Sequence, residues 1–434
     1  MNFTTFHDFE QQIGNGREKQ QKMAAFLRSN RVTFTGALLF AVVLPEAVQQ
    51  SASRIWPSIA CPPGRELELF ASVFAITLAH VLLRKIGILP LVERKTLIVP
   101  AMAVSLGLCL AALLLAVHHV QLFHLVASAI LGSAWYYTIY SFDERVGLRR
   151  IGVVSARPIE PKLAAMPIEW VRIARPKIHK DLVAIAYDDD ITYTPEWESL
   201  FSRAVMRKIH FYDLAQLREK LTGRVRIAAR PELVFGQLLP SQPYLRIKWA
   251  VDVFVALPVL CLVLPVIALV ALAIRLESPG PAIYRQKRVG YQGRVFTCYK
   301  LRSMRNDVAG PLYTNERDPR ITRIGHVIRK YRIDELPQIF NILKGEMSWI
   351  GPRPEALRLA RAYERAIPHY AYRHTVRPGI TGWAAIHQGN VALTDAAAEK
   401  LEYDFYYLKY FSIWLDALIV LMTVRTVLTG FGSR

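Results

Sequence analysis

The chain has 434 residues, a formal charge of +20 and 52% hydrophobic residues, with a mean hydropathy of +0.20. That apolar content excludes a disordered chain, and the composition is neither collagen-like nor a disulfide framework. Cys61, Cys109, Cys261 and Cys298 are scattered without metal-ligand spacing, so no zinc site is implied either.

Residues 1–31 are polar and carry no cleavage-site pattern, which predicts a cytoplasmic N-terminal segment rather than a removable leader. Four apolar stretches follow, at residues 32–48, 67–83, 97–117 and 120–140. The last three are long enough for ~30 Å of hydrocarbon at ~1.5 Å per residue, while Pro45 and Glu46 make the first marginal. Lys19, Lys22, Arg28 and Arg31 precede the first stretch, Arg84, Lys85, Arg94 and Lys95 separate the second and third, and Arg145, Arg149 and Arg150 follow the fourth. The alternate loops hold only Arg54 and Arg65, or His118 and His119, so both ends of a four-helix transmembrane segment face the cytoplasm. In such a chain the basic excess fits a cytoplasmic face or anionic lipid.

Over residues 141–243 the apolar density falls. Strands are predicted at 150–154, 170–173, 181–187 and 210–212, and helices at 196–209 and 214–221, an alternation that reads as a small parallel α/β domain. It has no GxGxxG after its first strand and no Walker loop. Asp188, Asp189 and Asp190 form an acidic run that fits either a glycosyltransferase metal site or a solvated loop. Pro240 and Pro243 mark a linker.

Residues 249–274 carry one charge, Asp252, and taken alone read as a fifth span. Arg246 and Lys248 precede them, however, and Arg275, Arg285, Lys287 and Arg288 follow. Basic flanks on both ends oppose crossing, and Pro258 and Pro265 interrupt the interior. A helix that enters the bilayer, bends and returns keeps both flanks on one side. An apolar stretch at 411–428 contains Asp416 and Arg425 and follows Tyr403, Tyr406, Tyr407 and Tyr410, which predicts a helix lying in the interface.

Between these two stretches the punctuation is dense. Ser278-Pro279-Gly280-Pro281 is a rigid turn, followed by Gln286-Lys287-Arg288-Val289-Gly290 and Lys300-Leu301-Arg302-Ser303-Met304. Asp334-Glu335-Leu336-Pro337-Gln338 comes after Arg329, Lys330 and Arg332. Pro337 suits a first helical turn, so Asp334 and Glu335 are expected at a helix N-terminus, where dipole and cations favour carboxylates. A carboxylate there can attack phosphorus, and its neighbour can hold Mg²⁺.

The stretch from Lys248 onward, about 185 residues, resembles the catalytic domain of bacterial polyprenyl-phosphate phosphoglycosyl transferases, the bacterial sugar transferases. The motifs just quoted carry the resemblance, together with Asp252…Pro265, Gly351-Pro352-Arg353-Pro354 and Arg377-Pro378-Gly379-Ile380-Thr381-Gly382-Trp383. It implies a membrane α+β fold: transmembrane residues 32–140, a cytoplasmic α/β domain at 141–243, and a monotopic catalytic domain at 244–434 on a re-entrant helix broken at Pro265. It further implies Asp334 as nucleophile, Glu335 as the Mg²⁺-linked acid, and Lys300, Arg302, Arg329, Arg353 and Arg377 as phosphate contacts. Partners so implied are a UDP-sugar, undecaprenyl phosphate, inner-membrane lipid and a second copy of the chain, with no nucleic acid. The product would be a polyprenyl-diphosphate sugar, with UMP released, that opens exopolysaccharide or O-antigen synthesis; glucose or galactose is the expected sugar. Two positions depart from the family pattern, which often has Ser at the places held here by Leu264 and Arg332. Competing readings are a UDP-releasing glycosyltransferase that uses Asp188–Asp190 and a non-enzymatic membrane scaffold.

Overall fold

A computed structural model describes residues 26–27, 29–55, 65–86, 94–116, 123–145, 149–155, 158–166, 168–177, 182–188, 193–207, 209–227, 242–305, 318–388 and 394–429. The chain forms two compact units, one up to Thr222 and one from Gly223.

The first unit opens with helix Asn30–Leu38, which passes through a π-helical turn, Leu39–Val43, into helix Leu44–Ile55. Pro45 explains the widening. It has no N–H for the Ala41 carbonyl, and its ring pushes that carbonyl away. Ser128 Oγ, from a neighbouring helix, donates to the Ala41 oxygen at 2.6 Å and satisfies it. The helix therefore continues through Pro45, and the apolar segment is longer than residues 32–48, reaching from Asn30 to Arg54. Helices Arg65–Ile86, Ile98–Ala116 and Phe123–Arg145 complete the set. Trp135 of the last one packs on Gly36, where any Cβ would overlap the indole, and donates to the Thr33 carbonyl at 2.9 Å.

Four described helices are long and apolar enough to cross a membrane: Asn30–Arg54, Glu66–Lys85, Lys95–Leu114 and Gln242–Glu277. The expected span at 120–140 is a helix, but it falls outside this group. His124, Trp135, Tyr136, Tyr137 and Tyr140 dilute its apolar character.

The α/β portion matches its sequence pattern closely. Strands β1 (Arg149–Val154), β2 (Ile168–Arg172), β3 (Leu182–Tyr187) and β4 (His210–Asp213) form a parallel sheet in the order β2-β1-β3-β4. Alternation along the strands sends Ile151, Val153, Ala184 and Ala186 to one face and Val154 and Ile185 to the other, and a register shift at the start of β3 brings Leu182 to the second face as well. Helix Pro195–Met206 covers the second face through Leu200 and Ala204, and helix Leu214–Thr222 covers the first through Leu217.

The second unit is built on helix Gln242–Glu277, 36 residues long and about 54 Å at ~1.5 Å per residue. It is longer than the expected 249–274. It also stays helical through both Pro258 and Pro265, so the expected break at Pro265 is not seen as an interruption of the helix. Phe254, Leu262, Leu269 and Leu276 stand outward and exposed. The opposite side packs on a core that includes Ala256, Cys298, Ile339, Ile342 and Met347, and farther along Ile274, Leu301 and Ile328. An antiparallel hairpin, β5 (Ile283–Val289) and β6 (Val295–Leu301), and a short parallel pair, β7 (Ser348–Ile350) and β8 (Gly379–Thr381), supply the strands.

Helices Thr394–Lys409 and Ile413–Thr429 close the unit. Several of the residues expected at the entrance of the last helix are packed inside the unit. Tyr403, Tyr406 and Tyr407 are core residues, and Asp416 is buried. Asp416 accepts from Tyr244 OH at 2.8 Å, Lys248 Nζ at 2.9 Å and Tyr407 OH at 2.8 Å, pinning the last helix to the start of the long one.

Candidate active site

The acid pair sits where two short helices meet. Helix Arg323–Lys330 begins at Thr322, whose side chain accepts from Gly325 N, and Glu277 from the end of the long helix accepts from Arg323 N at 2.7 Å. It ends through Arg332, whose left-handed φ of 56° reverses the chain. Asp334 and Glu335 then lie in a 3-10 turn, Ile333–Gln338, which leads into helix Ile339–Leu343. The expected helix N-terminus is present, as a tighter turn with Pro337 inside it. Arg332 makes no side-chain capping bond there.

Asn341 sets this turn against β6. It is fully buried, donates to the Thr297 carbonyl at 2.7 Å and accepts from Tyr299 N at 3.2 Å. Lys300, the next residue on β6, thereby faces the acid pair. Its Nζ lies 3.0 Å from Glu335 Oε1 and 3.9 Å from Asp334 Oδ2. Arg353 takes Glu335 in a fork, Nη2 to Oε1 at 2.6 Å and Nη1 to Oε2 at 3.2 Å.

The electrostatics separate the two acids. Burial opposes ionisation of Glu335, but Arg353 and then Lys300 overcome it and hold the carboxyl well below its usual range. Asp334 is pushed up, first by burial and then by the Glu335 charge, with Lys300, Arg353 and Arg329 pulling the other way. Burial lowers Lys300, while Glu335 raises Arg353.

Arg353 is itself held by a buried ionic layer that the sequence reading missed. Its carbonyl accepts from Arg373 Nη2 at 2.9 Å, Arg373 pairs with Asp404 at 2.8 Å, and Lys400 pairs with Glu355 at 2.6 Å. Although burial opposes its charge, Glu355 is held down to about 2 by Lys400 and Arg373. These partners lie 20 to 45 residues from the motif they support, so no local spacing announces them.

The other expected phosphate contacts are placed differently. Arg302 is buried at the end of the long helix, donating to the carbonyls of Ile274, Ser278 and Pro279 and to Ser278 Oγ. It caps the helix, and the Ser278–Pro281 turn wraps its guanidinium. Arg377 donates to the Gly345 carbonyl at 3.0 Å and lies over the Tyr291 ring. Arg329 stands in the last turn of helix Arg323–Lys330 and acts on Asp334 through its charge. The glycine motifs around Arg353 and Arg377 also have a packing reason: β7 and β8 approach so closely that a Cβ at Gly351 or Gly379 would meet the opposite backbone. Among the acidic run, Asp188 is buried and accepts from Ser155 Oγ at 3.3 Å, whereas Asp189 and Asp190 lie outside the described residues. No group of three or more metal-ligating side chains occurs among the described residues.

A cavity of about 170 Å³ opens beside Glu335. Glu335 and Arg332 supply its charged end. Val259 and Val263 of the long helix, with Leu336, Ile339, Ile380 and Ile386, make its walls apolar. A buried carboxylate held by two cations thus stands beside an apolar cavity at the middle of the long helix, an arrangement that can hold a charged group next to an apolar one.

Residues 243–430 match the bacterial sugar transferase family. The chain is 42% identical over 304 residues to the UDP-N-acetylgalactosamine-undecaprenyl-phosphate N-acetylgalactosaminephosphotransferase of Aeromonas hydrophila, covering 69% of this chain and 71% of that one. It is 41% identical over 183 residues to the UDP-glucose:undecaprenyl-phosphate glucose-1-phosphate transferase of Escherichia coli K12, covering 41% of this chain and 39% of that one. It is also 42% identical over 192 residues to the exopolysaccharide production protein PSS of Rhizobium leguminosarum bv. phaseoli, covering 42% of this chain and 96% of that one. The chain belongs to the bacterial sugar transferase family, and it is an enzyme.

Proposed function

We propose that the protein transfers a sugar 1-phosphate from a UDP-sugar to undecaprenyl phosphate at the cytoplasmic face of the membrane. The observation that carries this reading is the Asp334–Glu335 pair, gripped by Lys300 and Arg353, beside a cavity walled by the long apolar helix. One substrate of such a reaction is water-soluble and the other never leaves the bilayer. The named substrates of the Aeromonas and Escherichia relatives support both halves.

In the first step an Asp334 carboxylate oxygen attacks the phosphorus that carries the sugar. The bond from that phosphorus to the bridging oxygen breaks, UMP leaves, and a sugar-phosphoryl aspartate remains. In the second step a phosphate oxygen of the acceptor attacks the same phosphorus, and the Asp334 carboxylate is released. Lys300 and Arg353 keep Glu335 ionised and place positive charge where the phosphoryl oxygens gather. A carboxylate has about four acceptor sites; Glu335 uses three of them, which leaves room for a Mg²⁺ ion that takes few protein ligands. Asp334 and Glu335 would hold that ion, and it would neutralise charge on the diphosphate.

A long helix that bends about Pro265 without unwinding, and whose two basic ends both remain cytoplasmic, fits this reaction. The test is nucleotide release by the purified chain with undecaprenyl phosphate, Mg²⁺ and a panel led by UDP-N-acetylgalactosamine, UDP-glucose and UDP-galactose. UMP is expected from one donor, and Asp334→Asn is expected to abolish it while leaving donor binding intact. Release of UDP, or near-normal turnover by Asp334→Asn, would refute the mechanism.

A further inference from the structure

Arg353 grips Glu335 from a stretch of chain that is hard to fasten. It stands between Pro352 and Pro354, neither of which has an N–H, so a backbone ladder has few donors to use here. The segment is held through its carbonyls instead. Four in a row have donors: Pro352 O accepts from Gly379 N at 3.1 Å, Arg353 O from Arg373 Nη2 at 2.9 Å, Pro354 O from Arg288 Nη1 at 2.5 Å and Glu355 O from Val289 N at 3.2 Å.

Two of these donors, Arg288 and Val289, belong to Gln286-Lys287-Arg288-Val289-Gly290 at the end of β5. Gln286 and Arg288 are two apart on the strand and share a face. Gln286 Oε1 accepts from Arg288 Nε at 3.1 Å and from Nη2 at 2.8 Å, which fixes the guanidinium plane and aims Nη1 at Pro354. Residue 288 also bridges Ala356 in antiparallel register. On its other edge β5 pairs with β6, which carries Lys300. One hairpin therefore sets the place of both cations that meet Glu335, Lys300 directly and Arg353 through the Pro354 carbonyl.

We infer that Arg288 is a positioning residue for turnover: it seats the Arg353 fork on Glu335 at a fixed distance from Lys300, and it touches neither substrate. A misplacement of about 1 Å at such a group costs on the order of 100-fold in rate. This inference rests on the transfer reaction proposed above.

The experiment uses the full-length protein in detergent with Arg288→Met, Arg288→Lys and Gln286→Met, assayed below the melting temperature of each. In Arg288→Met, kcat for UMP release should fall about fivefold or more, with the KM values of UDP-sugar and undecaprenyl phosphate within about twofold of wild type. Arg288→Lys can still donate to the Pro354 carbonyl and should recover part of the rate. Gln286→Met leaves the guanidinium unaimed and should fall between wild type and Arg288→Met; it carries the test if Arg288→Met does not fold. A smaller loss of kcat, no recovery with lysine, or a larger rise in either KM overturns the assignment. If the wild-type chain releases no nucleotide, the transfer reading fails separately, and thermal unfolding of Arg288→Met, Arg353→Met and the double variant judges Arg288. The double variant should lose less in melting temperature than the sum of the single losses, because a loosened fork has less to give up; an additive or greater loss overturns the assignment.

Discussion

Arg302 and Arg353 look alike in the sequence, each a basic residue inside a dense motif, yet the structure gives them different work. Arg302 has its guanidinium among the last carbonyls of a helix, whereas Arg353 grips a carboxylate of the acid pair. Replacing Arg302 by Met is therefore expected to cost about 2–3 kcal/mol of stability, from charged hydrogen bonds lost at a buried site, and to leave the KM values of both substrates unchanged. Replacing Arg353 by Met strands Glu335 as a buried carboxylate with one cation fewer, at about 3–5 kcal/mol, and should remove turnover as well. Thermal unfolding paired with steady-state kinetics on both variants separates the two roles; a rise in substrate KM in the Arg302 variant would return it to the phosphate-binding group. Lys is a poor substitute at Arg353, because a point charge cannot form the fork.

At the scale of elements, Pro45 shows that the neighbours of a helix decide whether it ends. Pro45 helped make the first stretch read as marginal, yet Ser128 from another helix satisfies the Ala41 carbonyl that Pro45 abandons. Ser128→Ala is expected to destabilise the first unit by about 1 kcal/mol. In a Pro45→Ala background the same change should cost less, since residue 45 then supplies its own N–H. A double-mutant cycle measures that coupling, and strict additivity would show the bond to be incidental. Asn341 works likewise for the active-site turn. Asn341→Leu removes three partly buried hydrogen bonds between that turn, β6 and Glu346, and should lower both stability and kcat by loosening Lys300 against Glu335.

The behaviour of the whole molecule follows from its charge and its exposed apolar surface. The buried pair Lys400–Glu355 links acid stability to Glu355, whose carboxyl is held near 2 against 4.5 in the unfolded chain. Its contribution is complete above pH 4.5 and is lost as pH falls from there toward 2. The difference corresponds to roughly 3 kcal/mol, so Lys400→Met should flatten the acid limb of the stability curve. An unchanged limb would mean that Glu355 is not responsible. Orientation has an equally direct test. The alternation of basic loops predicts that the loop after the first apolar stretch lies outside the cytoplasm, so a membrane-impermeant maleimide applied to intact cells is expected to label Cys61 and not its Cys61→Ser variant.

The apolar stretches, the α/β alternation and the acid pair with its glycine and proline motifs were legible in the sequence, because each is written in neighbouring residues or at a fixed period. The parallel sheet formed where its strands were expected, and three of the four N-terminal stretches became helices apolar enough to span. The tertiary structure alone decided which cations meet Glu335, that Asp416 is buried with Tyr403, Tyr406 and Tyr407, and that Asn341 and the Arg373–Asp404 pair hold the site in place. A buried charge takes whatever partner the fold brings to it, and those partners are drawn from 35, 168 or 31 residues away. Local periodicity carries no information at that distance; packing supplies it, because an ion removed from water must find its counter-charge wherever the chain returns.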